Sequence, residues 1–313
     1  MNRRLFLLIA LLLPLLISGL SPTALAEDGT PRNIVLIGWD GCNRDVLKEL
    51  IARKELPAVT GLVREGALVD ITVTTGATDT KAGWAQILTG YKPEVSGVYS
   101  NRRFKPIPKG MTILERAKMS PGADNVYTAM IVAKKENLGN EAPNAAFPGG
   151  PYHFSHAGMD LFINDLETNE RVASRTVQTI EQQKDKRFLI FAHFAEPDRA
   201  GHAHGEGSRE YREAIKLDDA STGKIVGKLK ELGLYDRTLV YVVAEHGFDV
   251  GQTNHRDAPY IFCATNDRKV TRNGDRADIA PTILKRFGVD LSAIDPPLSG
   301  ASLDVVTRPE TGR

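Results

Sequence analysis

Cysteine is nearly missing: only Cys42 and Cys263 carry a thiol among 313 residues, so at most one disulfide is possible. Bridging would need their Cα atoms within about 7 Å, which spacing in the chain does not determine, and a buried unpaired pair is the preferred reading. An excess of either charge is missing too. With 40 Lys and Arg against 39 Asp and Glu, the net charge is +1, and no electrostatic footprint points to nucleic acid. Internal repeats are absent, and no linker marks a second domain. What remains is an ordinary soluble composition, 42% hydrophobic and 25% charged, with enough bulk for one large core.

The one long apolar run lies at the start. Arg3 and Arg4 precede a leucine-rich stretch from Leu5 to Leu20, broken by Pro14 and followed by Ala24-Leu25-Ala26 in the pattern of a cleavage site. Residues 1–26 therefore read as a signal peptide, which implies a periplasmic or secreted protein with one domain over 27–313. An uncleaved anchor is the competing reading, on a run slightly short for a span. The paired arginines resemble a twin-arginine signal, although the leucine core fits general export equally well.

The mature chain is organised around Phe188 to His202, FLIFAHFAEPDRAGH. Its apolar run predicts a strand buried on both faces, and the loop after it carries Asp198 and His202 four residues apart. Asn33 to Trp39 predicts a second such strand, ended by Asp40-Gly41. Thr238 to Val243 predicts a third, ended by Glu245-His246-Gly247, with His255 in the glycine-bearing loop beyond. Open α/β sheets bind ligands at the carboxyl ends of their strands, so these residues share an edge. The alternative for Asp40 is a helix N-cap, and for Asp198 a polar turn before a helix.

Thr80 opens a helix that closes at Gly90, a position where the helix dipole and free amides favour an anion; the commoner use of threonine there is as an N-cap. Asp278-Ile279-Ala280-Pro281-Thr282 starts the last helix, with Asp278 as its cap. The stretch Asn137 to Gly158 is long, rich in Gly, Pro and Asn, and carries His153 and His156; a loop of that length is a lid, a binding loop or disordered. Strands and helices alternate throughout, which predicts an α/β fold: a three-layer α/β/α sandwich with a mainly parallel sheet.

Taken in order, these residues resemble the alkaline phosphatase superfamily, in particular its type I phosphodiesterase/nucleotide pyrophosphatase branch, over nearly all of the mature length. The matching residues are Asp40-Gly41, Thr80, Thr89-Gly90, Asn101, Asp198-x-x-x-His202, Glu245-His246-Gly247, His255, Asp278 to Thr282 and Gly300 to Leu303. The resemblance implies an alkaline phosphatase-like fold and two divalent metal ions, preferably zinc. One ion would be held by Asp198, His202 and His255, the other by Asp40, Glu245, His246 and the Thr80 oxygen. Thr80 would be the nucleophile, Asn101 a donor to a non-bridging phosphoryl oxygen, and Lys134 a substrate-binding cation. The partner implied is a small-molecule phosphate ester.

Three departures qualify the match. Glu245 stands where the family usually has aspartate. Lys134-Lys135-Glu136 stands where some phosphomonoesterases of the superfamily carry Lys-x-Arg, which leaves one cation fewer for a monoester dianion. Thr80, with Ala82 and Trp84, does not match the Cys/Ser-x-Pro-x-Arg pattern that sulfatases need. The expectation is an exported hydrolase of diesters or pyrophosphates. A phosphomonoesterase or phosphonate hydrolase is the nearer alternative, and a non-catalytic ligand-binding relative the farther one.

Overall fold

The computed structural model describes residues 33–119, 126–138, 150–152 and 158–304. The signal-peptide reading of residues 1–26 and the His153/His156 pair lie outside them. In chain order the elements are β1 (Asn33–Trp39), α1 (Arg44–Ala52), α2 (Pro57–Glu65), β2 (Ala67–Thr72), α3 (Thr80–Thr89), α4 (Pro93–Ser96), α5 (Ile113–Met119), β3 (Val126–Val132), α6 (Lys135–Leu138), β4 (Leu161–Ile163), α7 (Asn169–Gln182), β5 (Arg187–Phe194), α8 (Glu196–His204), α9 (Arg209–Glu231), β6 (Thr238–Val243), β7 (Tyr260–Thr265), β8 (Gly274–Asp275) and α10 (Ile279–Arg286).

Apolar runs put β5, β1 and β6 at the centre, because a strand buried on both faces has to be covered by helices above and below. The sheet has eight strands in the order β4-β3-β5-β1-β6-β7-β2-β8. Helices α1, α2, α7 and α9 pack on one another and on the sheet as one layer, and α3, α5 and α10 form the other. Only β7 among these strands runs against its neighbours, β6 and β2. That reversal matters for the site. Since β6 ends and β7 begins at the same edge, residues 244–259 cross the carboxyl edge of the sheet without leaving it.

Two local expectations change. Asp198 and His202 lie on α8 rather than in a loop: Pro197 sits in the first turn, where its missing N–H costs nothing, and four residues make about one helical turn, so both side chains share a face. The last helix is not capped by the Asp278 side chain. A 3-10 turn over Arg276–Asp278 precedes it, capped by Asp275 in a reciprocal box with Asp278. The Asp278 carboxylate instead accepts from the amides of Asp275 and Ala301 and from Arg272. Cys42 and Cys263 are both buried and unpaired. Among the described residues, no helix is long and apolar enough to cross a membrane.

Candidate active site

Three imidazoles are aimed by the same device. Nδ1 of His246 bonds the Gly247 carbonyl at 2.9 Å, Nδ1 of His202 the Thr253 carbonyl at 2.9 Å, and Nδ1 of His255 the Thr78 carbonyl at 2.5 Å. A carbonyl only accepts, so in each ring Nδ1 is the donor and Nε2 is the atom turned into the site. Those nitrogens converge. Nε2 of His202 and of His255 lie 3.1 Å apart, and Asp198 Oδ1 is 3.4 Å from the first and 3.7 Å from the second.

The carboxylates come from three elements. Asp40 follows β1 and is fully buried; His193 on β5 holds its Oδ2 at 2.9 Å, so only Oδ1 faces inward. Gly41 makes the turn there with φ +71°, and a Cβ on it would stand 2.9 Å from Cβ of Asp198, so only glycine lets α8 approach β1 this closely. Glu245 follows β6, with Oε2 accepting from the Gly41 amide at 3.3 Å and Oε1 3.2 Å from Nε2 of His246. It abuts α3 so closely that a Cβ on Gly83 would fall 2.5 Å from its own Cβ.

Lys134, at the end of β3, reaches into this cluster. Its Nζ lies 2.8 Å from Asp40 Oδ1, bonds Asp198 Oδ2, and stands 3.5 Å from Thr80 Oγ1. Burial would lower its pKa, but Asp40, Asp198 and Glu245 raise it above the ordinary lysine value. Burial likewise opposes ionisation of Asp40, yet Lys134, His193 and His246 hold its carboxyl well below the usual range. Glu245 goes the other way: burial, then the neighbouring Asp40 charge, push it well above. Burial, then His255, keep His246 neutral.

Thr80 is the first residue of α3, and the cap of that helix is Asp79, whose Oδ1 accepts from the Ala82 amide. The threonine hydroxyl is thus not spent on capping. The amides at this helix end are less free than the sequence suggests, since the Lys81 amide is already given to Asn101 Oδ1 at 2.8 Å. Asn101 in turn donates its own amide to Asp79 Oδ2 at 2.7 Å. With its side-chain oxygen engaged, the Asn101 Nδ2 end is the one left to meet a ligand.

Two residues of the site escape sequence reasoning. His193 interrupts the apolar run of β5 one position before its end, and a lone buried imidazole there is the signal that could have found it. Arg276, also fully buried, donates to the carbonyls of Thr75 and Ala77 ahead of α3 and to that of Glu245. Burial lowers its guanidinium to about 10, so it stays charged at neutral pH and clamps the two segments together.

The donors fit divalent cations. Asp198, His202 and His255 form one group of ligand atoms within 4.8 Å of one another, and Asp40, Asp198 and His246 form a second. Glu245 stands beside the second group through His246 rather than within it. Asp198 Oδ1, Glu245 Oε1 and His246 Nε2 are buried with no hydrogen-bond partner. Acceptors facing acceptors at 3–4 Å in a buried site repel unless a cation lies between them.

The family model described as type I phosphodiesterase / nucleotide pyrophosphatase matches residues 34–288. A mouse bis(5'-adenosyl)-triphosphatase is 27% identical over 230 residues, 71% of this chain and 48% of that protein; the human form is 25% identical over 244 residues, 76% and 52%. The chain thus spans about half the length of these curated relatives. Two solved structures share the fold. An inactive form of murine ectonucleotide pyrophosphatase / phosphodiesterase 5 in complex with AMP gives a TM-score of 0.59 at 13% identity, covering 82% of this chain and 95% of that one. Alkaline phosphatase from the Antarctic bacterium TAB5 gives 0.58 at 14% identity, covering 83% and 99%.

Proposed function

The chain belongs to the type I phosphodiesterase/nucleotide pyrophosphatase family, an enzyme family, and on that premise we propose an exported, metal-dependent hydrolase of phosphoric diesters and pyrophosphates that works through a phosphothreonine at Thr80. The observation that carries this reading is the convergence of the three Nε2 atoms on Asp198, a cluster joined to the Thr80 hydroxyl through Lys134.

Two divalent cations fit the site, one on Asp198, His202 and His255 and one on Asp40, Asp198 and His246 with Glu245 and Thr80 beside it. Zinc suits this mixture of imidazole nitrogen and carboxylate oxygen. Bound there, they would supply Lewis acidity and lower the pKa of a hydroxyl. The chain's residues do the rest. Thr80 Oγ1, its proton lost to solvent, attacks phosphorus. The ester or anhydride oxygen opposite leaves with the electron pair of its P–O bond and takes a proton from solvent. Water later cleaves the Thr80 O–P bond, restoring the hydroxyl and releasing the remaining group as a phosphomonoester. Asn101 Nδ2 donates to a non-bridging oxygen, where a fixed donor stabilises charge as it develops. Asp79 and Arg276 keep the nucleophile segment in register with Glu245, and His193 keeps Asp40 turned inward.

Preference for diesters follows from Glu136, which stands where a second cation would help neutralise a monoester dianion, and export from the leader at residues 1–26. The test compares a bis-aryl phosphate, an aryl phosphate and an aryl sulfate, each with and without a chelator. The diester should be turned over fastest in kcat/KM, the sulfate hardly at all, and the chelator should stop turnover. A monoester preference would make the protein a phosphomonoesterase. Metal uptake with no turnover of any ester would make it a ligand-binding relative. Cell fractionation of the full chain tests export.

A further inference from the structure

Asp40 has one oxygen to offer. Oδ2 is held by Nε2 of His193, both residues being fully buried, so whatever enters the site must be met by Oδ1. That oxygen carries the Lys134 ammonium at 2.8 Å. The same ammonium takes Asp198 Oδ2, while Asp198 Oδ1 faces His202 and His255 without a partner. The two oxygens of Asp198 therefore separate two environments. One is bare of cations and ringed by imidazoles, and the other is already neutralised by a tethered cation that also reaches toward Thr80.

Resting on the reading of this site as a metal centre, we propose that Lys134 is the resident cation of the Asp40–Asp198 position, and that a divalent ion enters there only by displacing it. Burying a dication a few ångströms from an ammonium is electrostatically prohibitive at low dielectric, and both claim the same Asp40 oxygen. The imidazole-ringed position carries no such toll. Loading is then ordered: the Asp198–His202–His255 position fills first, and the Asp40 position fills as Lys134 swings away with its proton, leaving the carboxylates to the ion. Before metal arrives, Lys134 thus neutralises part of the carboxylate charge at the Asp40 position.

The test uses Zn2+ as the probe and the full chain stripped with a chelator, comparing wild type with Lys134→Met by titration against a chromophoric competitor. Wild type should bind two ions of unequal affinity. In Lys134→Met the weaker ion should tighten at least tenfold, and the metal-free variant should melt below wild type yet rise further on adding Zn2+. A second measurement needs no variant. Acylation of wild-type Lys134, read by mass spectrometry, should be slow in the metal-free protein and increase when the second equivalent of Zn2+ is added. Two ions in wild type with no tightening in Lys134→Met, or a Lys134 no more reactive with both bound, would overturn exchange while leaving the metal centre standing. Failure of wild type to take up Zn2+ would overturn both.

Discussion

Two buried ionic clusters sit in the same fold and differ in one respect, whether their hydrogen bonds close. Where β7 ends, Arg286 donates to Asp267 from Nε at 2.6 Å and to both oxygens of Asp304 through Nη1 and Nη2. Asp267 also accepts from Tyr241 Oη and the Lys269 amide, and Lys285 meets Asp304. None of these side-chain atoms is left buried without a partner. At the opposite edge, Asp40, Asp198 and Glu245 share one lysine, and three ligand atoms of the cluster are unsatisfied. Both clusters are dense in charge. Closed bonding marks the first as part of the frame, and open bonding marks the second as a place built to receive something.

The comparison can be broken first at its chemical end. Thr80→Ala is expected to cut turnover of a bis-aryl phosphate by roughly 10³-fold or more, with Zn2+ content and melting temperature unchanged. Activity above a few per cent would remove Thr80 as nucleophile. Next comes the closed cluster. Arg286→Met leaves the buried Asp267 without its cation and Asp304 with Lys285 alone, and should cost about 3 kcal/mol in denaturant unfolding, while the folded fraction still binds Zn2+ with wild-type stoichiometry. An effect on metal binding would mean that the two clusters are coupled.

Smaller, and of opposite sign, is the effect of Glu245→Gln on the metal-free protein. It removes a buried carboxyl that burial and Asp40 already disfavour as a charge, so stability should stay level or rise by about 1 kcal/mol as Zn2+ affinity falls. Large destabilisation, seen by calorimetry of the stripped protein, would make Glu245 part of the frame. The smallest effect concerns acid. Burial would raise the Asp304 carboxyl, but Arg286 and Lys285 hold it at about 2, below its unfolded value of about 3.9. Its contribution is therefore complete above about pH 4 and is lost as pH falls through about 2. Solvent screening keeps it to about 1 kcal/mol, and Asp304→Asn should flatten that part of the acid unfolding curve.

Much of the frame was legible because β1, β5 and β6 are apolar on both faces and have no other way to be buried. The residues that end them could be assigned to one edge for the same reason. Convergence was not legible, since distances between Asp40, Asp198 and His246 depend on β1 lying between β5 and β6, an order that periodicity does not encode. Short helices were also opaque. In α8, proline and glycine imitate a loop, and Asp278 imitates a cap because a 3-10 turn leaves no apolar period of its own. Lys134 was named as a substrate contact, but its carboxylate partners belong to other elements and appear only once the chain is folded.

The central position of β1 has a consequence for how the protein is made. On the ribosome, β1 leads the described strands, yet its two neighbours are β5 and β6, and Asn33 pairs with Thr238, 205 residues later. Closing a loop of that size before any contact rewards it is slow, and no nearer strand can stand in. Asp40 therefore leaves the exit tunnel long before Glu245 and His255 exist as chain. A nascent polypeptide stalled short of β6 lacks Glu245, His246 and His255, so the cluster can close only after the long-range pairing of β1 has become possible.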